Sequence, residues 1–320
     1  MQANFPLKNW IPYRLDFRAA ELTCEYLFVG EKAFVEPFFH ETSGKCRGLA
    51  ENRKPFKVKS SLETLIEISK EVPCVEPTAF IFHISRCGST LLAQLLCLEE
   101  ENIVLSEVPI LDEVLRDLYF KREDISAEKR KEALRAVIKI LGQKRTGKEQ
   151  NLFIKLDSWD IFYYELLREL YPDTPFIFSY RRPNEVIRSQ LKDAGMHAAP
   201  GVIEPALFGW TLEEILPLQR AVYVAKVLEK YLENYLKILD EDKNSLFLDY
   251  KEGAKNALEQ LLGFVGLSLS EEFLQKVEHR LTFHSKRPNQ SFEEPPLEEE
   301  IPVFQFKVMD LYEKLRAASR

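Results

Sequence analysis

The stretch AFIFHISRCGSTLLAQLL, running from Ala79 to Leu96, has three parts. Residues 79–84 form an apolar run that predicts a buried strand. Ser85-Arg86-Cys87-Gly88-Ser89-Thr90 follows as a tight loop. A helix then opens, with Leu91, Leu92, Leu95 and Leu96 on one apolar face. A loop that opens a helix after a buried strand offers backbone N–H groups and the positive end of the helix dipole to an anion. Gly88 permits close backbone approach, Ser89 and Thr90 add hydroxyl donors, and Arg86 adds a fixed positive charge. Taken alone, the loop fits an anion site or an ordinary strand-to-helix turn.

Two common anion loops do not fit. The nucleoside triphosphate loop requires GxxxxGK[ST]. Here His83 stands at the first glycine position and no lysine follows Gly88. A cysteine-dependent phosphatase loop would need an arginine six positions after Cys87, where Ala93 stands.

Further apolar runs at Ile103–Leu105, Leu152–Leu156, Pro175–Tyr180 and Ser245–Leu248 also read as buried parallel strands. Helical patterns separate them, over 110–120, 127–142, 158–170, 184–193 and 212–238. This alternation predicts an α/β fold: a parallel sheet with helices on both faces. The segment 286–300 reads as a Pro/Glu-rich loop and 303–318 as a last helix. Residues 1–75 differ. They are dense in aromatics and carry turn signals near Gly30 and Gly44. They predict short strands and one helix around 61–71, an N-terminal appendage to a main domain over 76–320.

Composition narrows the class. The chain has 320 residues and a net charge of −7, which disfavours a general nucleic-acid or anionic-membrane binder but leaves room for a local basic pocket. Cys24, Cys46, Cys74, Cys87 and Cys97 are odd in number and lack CxxC spacing, so neither a zinc site nor a disulfide framework is expected. A reducing, cytoplasmic compartment fits them. The first residues do not read as a signal peptide, and no apolar run is long enough for a membrane span.

A second strand–turn–helix occurs at PFIFSYRRPNEVIRSQL. Arg181 stands at the strand end, Pro183 suits the first helical turn, and Ser189 lies two turns on. With both stretches in hand, the sequence resembles the sulfotransferase superfamily, whose fold is P-loop-like. Its members carry a basic residue before x-G-[ST]-[ST] for the 5′-phosphosulfate end of the donor, and R-x-P-x(5)-S for the 3′-phosphate. Both signatures occur here in the right order, about a hundred residues apart. The resemblance spans roughly residues 78–290. It implies a 3′-phosphoadenylyl sulfate-dependent sulfotransferase, with 3′,5′-adenosine diphosphate as product, no metal, and an acceptor hydroxyl or amine on a sugar, lipid or metabolite.

Carried over residue by residue, the resemblance assigns Arg86, Cys87, Gly88, Ser89 and Thr90 to the 5′ end, and Arg181 and Ser189 to the 3′-phosphate. Arg182 stands where many relatives have an acidic or amide residue and receives no role. In SLFLDYKEGAKNALEQLLGFVGL, Tyr250 falls at the tyrosine that contacts the nucleotide in relatives; a core aromatic is the alternative. Ser285 and Lys286, in a late basic run after His284, match a loop that covers the donor, or are simply solvated.

For the chemistry, Arg86 is the expected leaving-group stabiliser. Lys155, at a strand end, is expected as a second such stabiliser, since it resembles a lysine of the protein-tyrosine and carbohydrate branches; a solvated strand-end lysine is the alternative. Those branches also place a glutamate after the second strand, here Glu107. A carboxylate there can take a proton from a hydroxyl; a helix cap is the alternative. His83 and His197 are rival bases. Two other readings remain: a non-catalytic nucleotide-binding protein on the same scaffold, or an atypical P-loop kinase.

Overall fold

The computed structural model describes residues 7–18, 21–282 and 300–319, without the side chains of Leu118 and Tyr119. His284, Ser285, Lys286 and nearly all of the expected 286–300 loop lie outside the described residues. The described chain falls into two compact units. One comprises residues up to Phe80, with Ala93–Leu156 and Leu166–Thr174; the other comprises Ile81–Leu92, Asp157–Glu165 and the residues from Pro175 onward.

The first 75 residues hold strands β1 (Trp10–Asp16), β2 (Thr23–Phe28) and β3 (Lys59–Ser61), in that order in an antiparallel sheet. Their inward residues, including Ile11, Leu15, Cys24 and Tyr26, are buried. The register slips between Pro12 and Arg14, where a bulge bends the strand. After β3 comes the expected helix, Leu62–Ser69, capped by Ser61 Oγ accepting from Thr64 N–H at 3.2 Å. It packs on the Ala127–Leu141 helix, whose buried residues include Leu134, Val137 and Leu141. An additional helix, Phe39–Cys46, was not evident from sequence, since its polar residues mask the apolar stripe.

Five further strands form one parallel sheet flanked by helices: β4 (Ala79–His83), β5 (Asn102–Ser106), β6 (Asn151–Lys155), β7 (Phe176–Tyr180) and β8 (Ser245–Asp249). Their order is β5-β6-β4-β7-β8, with β4 at the centre. Each matches an apolar run to within a residue or two at its ends. Strands buried on both faces need no polar alternation, which is why the runs are continuous. Phe82, Phe178 and Phe247 stack across β4, β7 and β8 with centroids 5.0 and 4.8 Å apart. Offset aromatic stacking of this kind adds to area burial.

Three expected helices differ. The 110–120 pattern is broken into Pro109–Asp112, a π-helical turn over Glu113–Asp117, and Leu118–Lys121. The wide turn carries partly or fully buried charges, with Arg116 paired to Asp112 and Asp117. The 158–170 pattern starts as a 3-10 turn over Ser158–Tyr163 before the α-helix Tyr164–Leu170. The 212–238 pattern is split into Leu212–Ile215 and Arg220–Glu241, because Pro217 lacks an N–H and disfavours a helical residue before it.

Candidate active site

In parallel strands, register decides which residues emerge together at the carboxyl ends. β7 and β8 are aligned so that Tyr180 matches Asp249. The next residues on each, Arg181 and Tyr250, therefore leave the sheet side by side. Arg181 lays its guanidinium over the Tyr250 ring, 4.3 Å from the centroid.

The loop after β4 lies against the same ring. Gly88 has φ of +80°, and a Cβ there would sit 2.6 Å from Tyr250 Cε2 and nearer still to Cδ2. Glycine is thus required both by conformation and by the approach of the ring. Ser85 and Arg86 are also left-handed, with φ of +67° and +51°. Consecutive residues of this kind cost energy, and here they hold the chain in an unusual conformation directly before a helix start, a common anion cradle. The Ser89–Leu96 helix starts at this point; Leu92 N–H is the donor to Gly88 O, at 3.0 Å. The N–H groups of its first turn have no carbonyl of their own helix to bond. Ser89 is buried and Thr90 half-buried. Cys87 turns inward, its thiol 3.3 Å from Ser179 O, so only its backbone belongs to the cradle.

Both arginines are already ion-paired. Arg86 Nη2 bonds Asp193, by its Oδ2 at 2.8 Å and also by its main-chain oxygen. Arg181 Nε bonds Glu185, and its Nη1 reaches Arg86 O at 3.4 Å. A cavity of about 520 Å³ opens beside Arg181 and Tyr250. It is also lined by Arg182, Lys251, Tyr312 and Arg316. Arg316 Nε lies 3.3 Å from the buried Asp249 Oδ2, which also accepts from Tyr312 O–H at 3.0 Å. Ser189 sits in the Pro183–Lys192 helix as expected but does not line this cavity.

The two rival histidines are both buried and both bonded. His83 Nδ1 accepts from Ser85 N–H at 3.0 Å and lies 3.2 Å from Ser158 Oγ. His197 Nε2 lies 3.2 Å from Gln190 Nε2 and packs on Tyr231 and Trp159.

Register works in the same way in the other unit. β5 and β6 match Ser106 with Lys155, which brings Glu107 beside Lys155. Glu107 N–H donates to Lys155 O at 2.8 Å, and its carboxylate accepts from Lys155 Nζ. The lysine side chain is fully buried, the glutamate 23% exposed. Glu107 has φ of +53°, a strained value for a residue of this kind. The following helix begins at Pro109 with Val108 as its cap. The ring of Phe38 lies 5.7 Å from Lys155 Nζ.

A family model described as a sulfotransferase domain matches residues 76–312. The chain belongs to the sulfotransferase family. Among solved structures similar to this sulfotransferase is the sulfotransferase domain of the Synechococcus PCC 7002 olefin synthase. It is 15% identical, over 75% of this chain and 95% of that one, with a TM-score of 0.44. STF9 from Mycobacterium avium is 11% identical, over 80% and 79% of the two chains, at 0.47. A sulfotransferase from Alicyclobacillus acidocaldarius is 18% identical, over 77% and 92%, at 0.39. No curated protein matches the chain in sequence.

Within this family frame, some site residues had no signal in the sequence. Arg316 and Tyr312 come from the last helix, whose pattern shows only amphipathicity. Glu185 and Asp193 look like ordinary helix-surface acids. Gln190, which bonds Ser85 Oγ at 2.9 Å, is fully buried, yet a lone glutamine carries no pattern. Among the described residues, no group of three His, Cys, Asp or Glu side chains could hold a metal, and no helix is long and apolar enough to cross a membrane.

Proposed function

We propose that this sulfotransferase takes its sulfuryl group from 3′-phosphoadenylyl sulfate and delivers it to an acceptor hydroxyl or amine. One observation carries the reading: Tyr250 touches Gly88 of one motif and Arg181 of the other. Two short stretches about a hundred residues apart meet on a single ring. A ligand with an anion at each end and a flat base is the natural occupant of such a junction.

The residues fit that donor. The cradle of Ser85, Arg86 and Gly88, with Ser89 and Thr90 at the helix start, would hold the 5′-phosphosulfate. Arg181 would hold the 3′-phosphate, with Ser189 nearby in its helix, and Tyr250 would contact the nucleotide. When bound, the donor supplies the sulfuryl group. Arg86 would stabilise negative charge on the departing diphosphate, which in transfers of this type matters more than covalent help. Glu107 would receive the acceptor's proton on its carboxylate. Lys155 would hold that carboxylate in place and add a second positive charge for the leaving group. Ser285 and Lys286, outside the described residues, would add contacts to the donor. The cysteine pattern supports a cytoplasmic setting. The acceptor is a sugar, lipid or metabolite.

Calorimetric titration with 3′,5′-adenosine diphosphate tests the donor. Saturable binding is expected, and its absence at high micromolar nucleotide would end the proposal. Transfer from labelled 3′-phosphoadenylyl sulfate across phenol, sugar and lipid acceptors tests turnover.

A further inference from the structure

The end of the Pro183–Lys192 helix makes two contacts with the cradle, on two adjacent left-handed residues. Gln190, fully buried, reaches Ser85. Asp193, with a side chain 75% exposed, reaches Arg86. The Gln190 amide has only one orientation that satisfies its surroundings. Gly195 N–H lies 2.7 Å from Oε1, so that atom is the acceptor. Nε2 is then the donor, to Ser85 Oγ at 2.9 Å and to His197 Nε2 at 3.2 Å.

The two contacts differ in kind. The Gln190 bond is neutral and buried, and Ser85 stays an acceptor fixed in a strained conformation; the contact shapes the loop without using any group an anion needs. The Asp193 bond occupies the guanidinium itself. A carboxylate there stands where a ligand anion would pair.

We propose that this helix end sets the affinity of the loop for the donor's anionic end, with Gln190 a positioning residue and Asp193 a competitor for Arg86. The proposal rests on the donor reading above. Arg86 leaves Asp193 when the ligand arrives, and the exposed carboxylate returns to water at little cost. Gln190 keeps Ser85 and Arg86 left-handed throughout. The helix that carries Arg181 and Ser189 thereby also governs the loop at the donor's other end.

The two residues have opposite signs in one experiment. Titrations with 3′,5′-adenosine diphosphate at fixed salt compare wild type with Asp193→Asn and Gln190→Leu. Asp193→Asn should bind about threefold tighter, the size of a partly exposed ion pair. That gain should vanish in an Arg86→Ala background. Gln190→Leu should bind about tenfold more weakly, the size of a buried hydrogen bond. If it does not fold, Ser85→Ala removes the same bond from the other side and should show the same loss. A role confined to folding would not tighten binding. Asp193→Asn binding no tighter, a gain that survives without Arg86, or a cradle indifferent to the Gln190–Ser85 bond would each overturn the proposal. Wild type failing to bind would overturn the donor reading itself.

Discussion

The Arg181 guanidinium and the Tyr250 ring lie 4.3 Å apart because β7 and β8 pair Tyr180 with Asp249. The contact follows from register: a slip of one residue in either strand would turn that strand's side chain to the opposite face of the sheet and part the two. The ring that receives the guanidinium also closes on Gly88, so conformation of the loop and position of the arginine depend on one side chain.

Gly88→Ala should therefore abolish tight nucleotide binding. The added Cβ meets the Tyr250 ring well inside contact distance, at a φ of +80° that alanine resists. Either the ring or the loop must move. Affinity for 3′,5′-adenosine diphosphate should fall by at least about tenfold, the loss expected when a close packing contact of about 1–3 kcal/mol is disrupted. Circular dichroism should remain native. Gly44→Ala, where an added Cβ meets nothing within 4 Å, is the control and should bind like wild type.

Arg181→Ala should erase discrimination between 3′,5′-adenosine diphosphate and adenosine 5′-monophosphate. A charge-assisted bond to phosphate contributes about 1.5–3 kcal/mol. The variant should lose that preference while binding the monophosphate almost as before. Equal losses for both ligands would mean that Arg181 acts on the fold and not on the 3′-phosphate.

Glu107 and Lys155 predict an asymmetric pair of variants. Glu107→Gln leaves a fully buried ammonium without its carboxylate, a loss of about 3 kcal/mol. Lys155→Met leaves a carboxylate that already reaches water, and should cost less. Both should lose turnover while keeping nucleotide affinity. Glu107→Gln/Lys155→Met should recover stability but not turnover. Denaturant midpoints and single-turnover transfer separate the two effects; a Glu107→Gln enzyme that turns over normally would remove Glu107 as the base.

The sequence exposes what is local and periodic. The strands β4 to β8 are legible because strands buried on both faces must be apolar throughout, and the loop is legible because Gly88 and the helix start impose local demands. Pro217 was also on view; its effect on the 212–238 pattern is local and could have been read. What was not legible depends on pairing. Nothing near Tyr250 announces that its ring will meet Gly88, since that contact needs the β7–β8 register and the strand order together. Asp193 and Gln190 are equally silent, one polar residue among many on an amphipathic helix. Arg316 reaches the cavity only because the last helix packs its Tyr312 onto Asp249.

Stability should fall with rising pH around Glu113, and the direction follows from its site. Burial pushes this carboxyl up to about 7, with Asp117 and Asp112 adding to the effect; the Leu15 N–H and Lys121 oppose it. The folded value thus lies above the ordinary 4.5 of the unfolded chain. A carboxyl of this kind prefers to be protonated in the fold. Its contribution is complete below about 4.5 and is lost as pH climbs through about 7. The full swing is on the order of 3 kcal/mol. Glu113 is bonded to Leu15 N–H of β1, so the loss should be felt first in the N-terminal sheet. Glu113→Gln cannot ionise and still accepts from Leu15. Thermal midpoints at pH 5, 6, 7 and 8 should fall more steeply for wild type than for the variant, which should be the more stable protein at pH 8. Parallel profiles would show that Glu113 ionises as easily in the fold as in the unfolded chain.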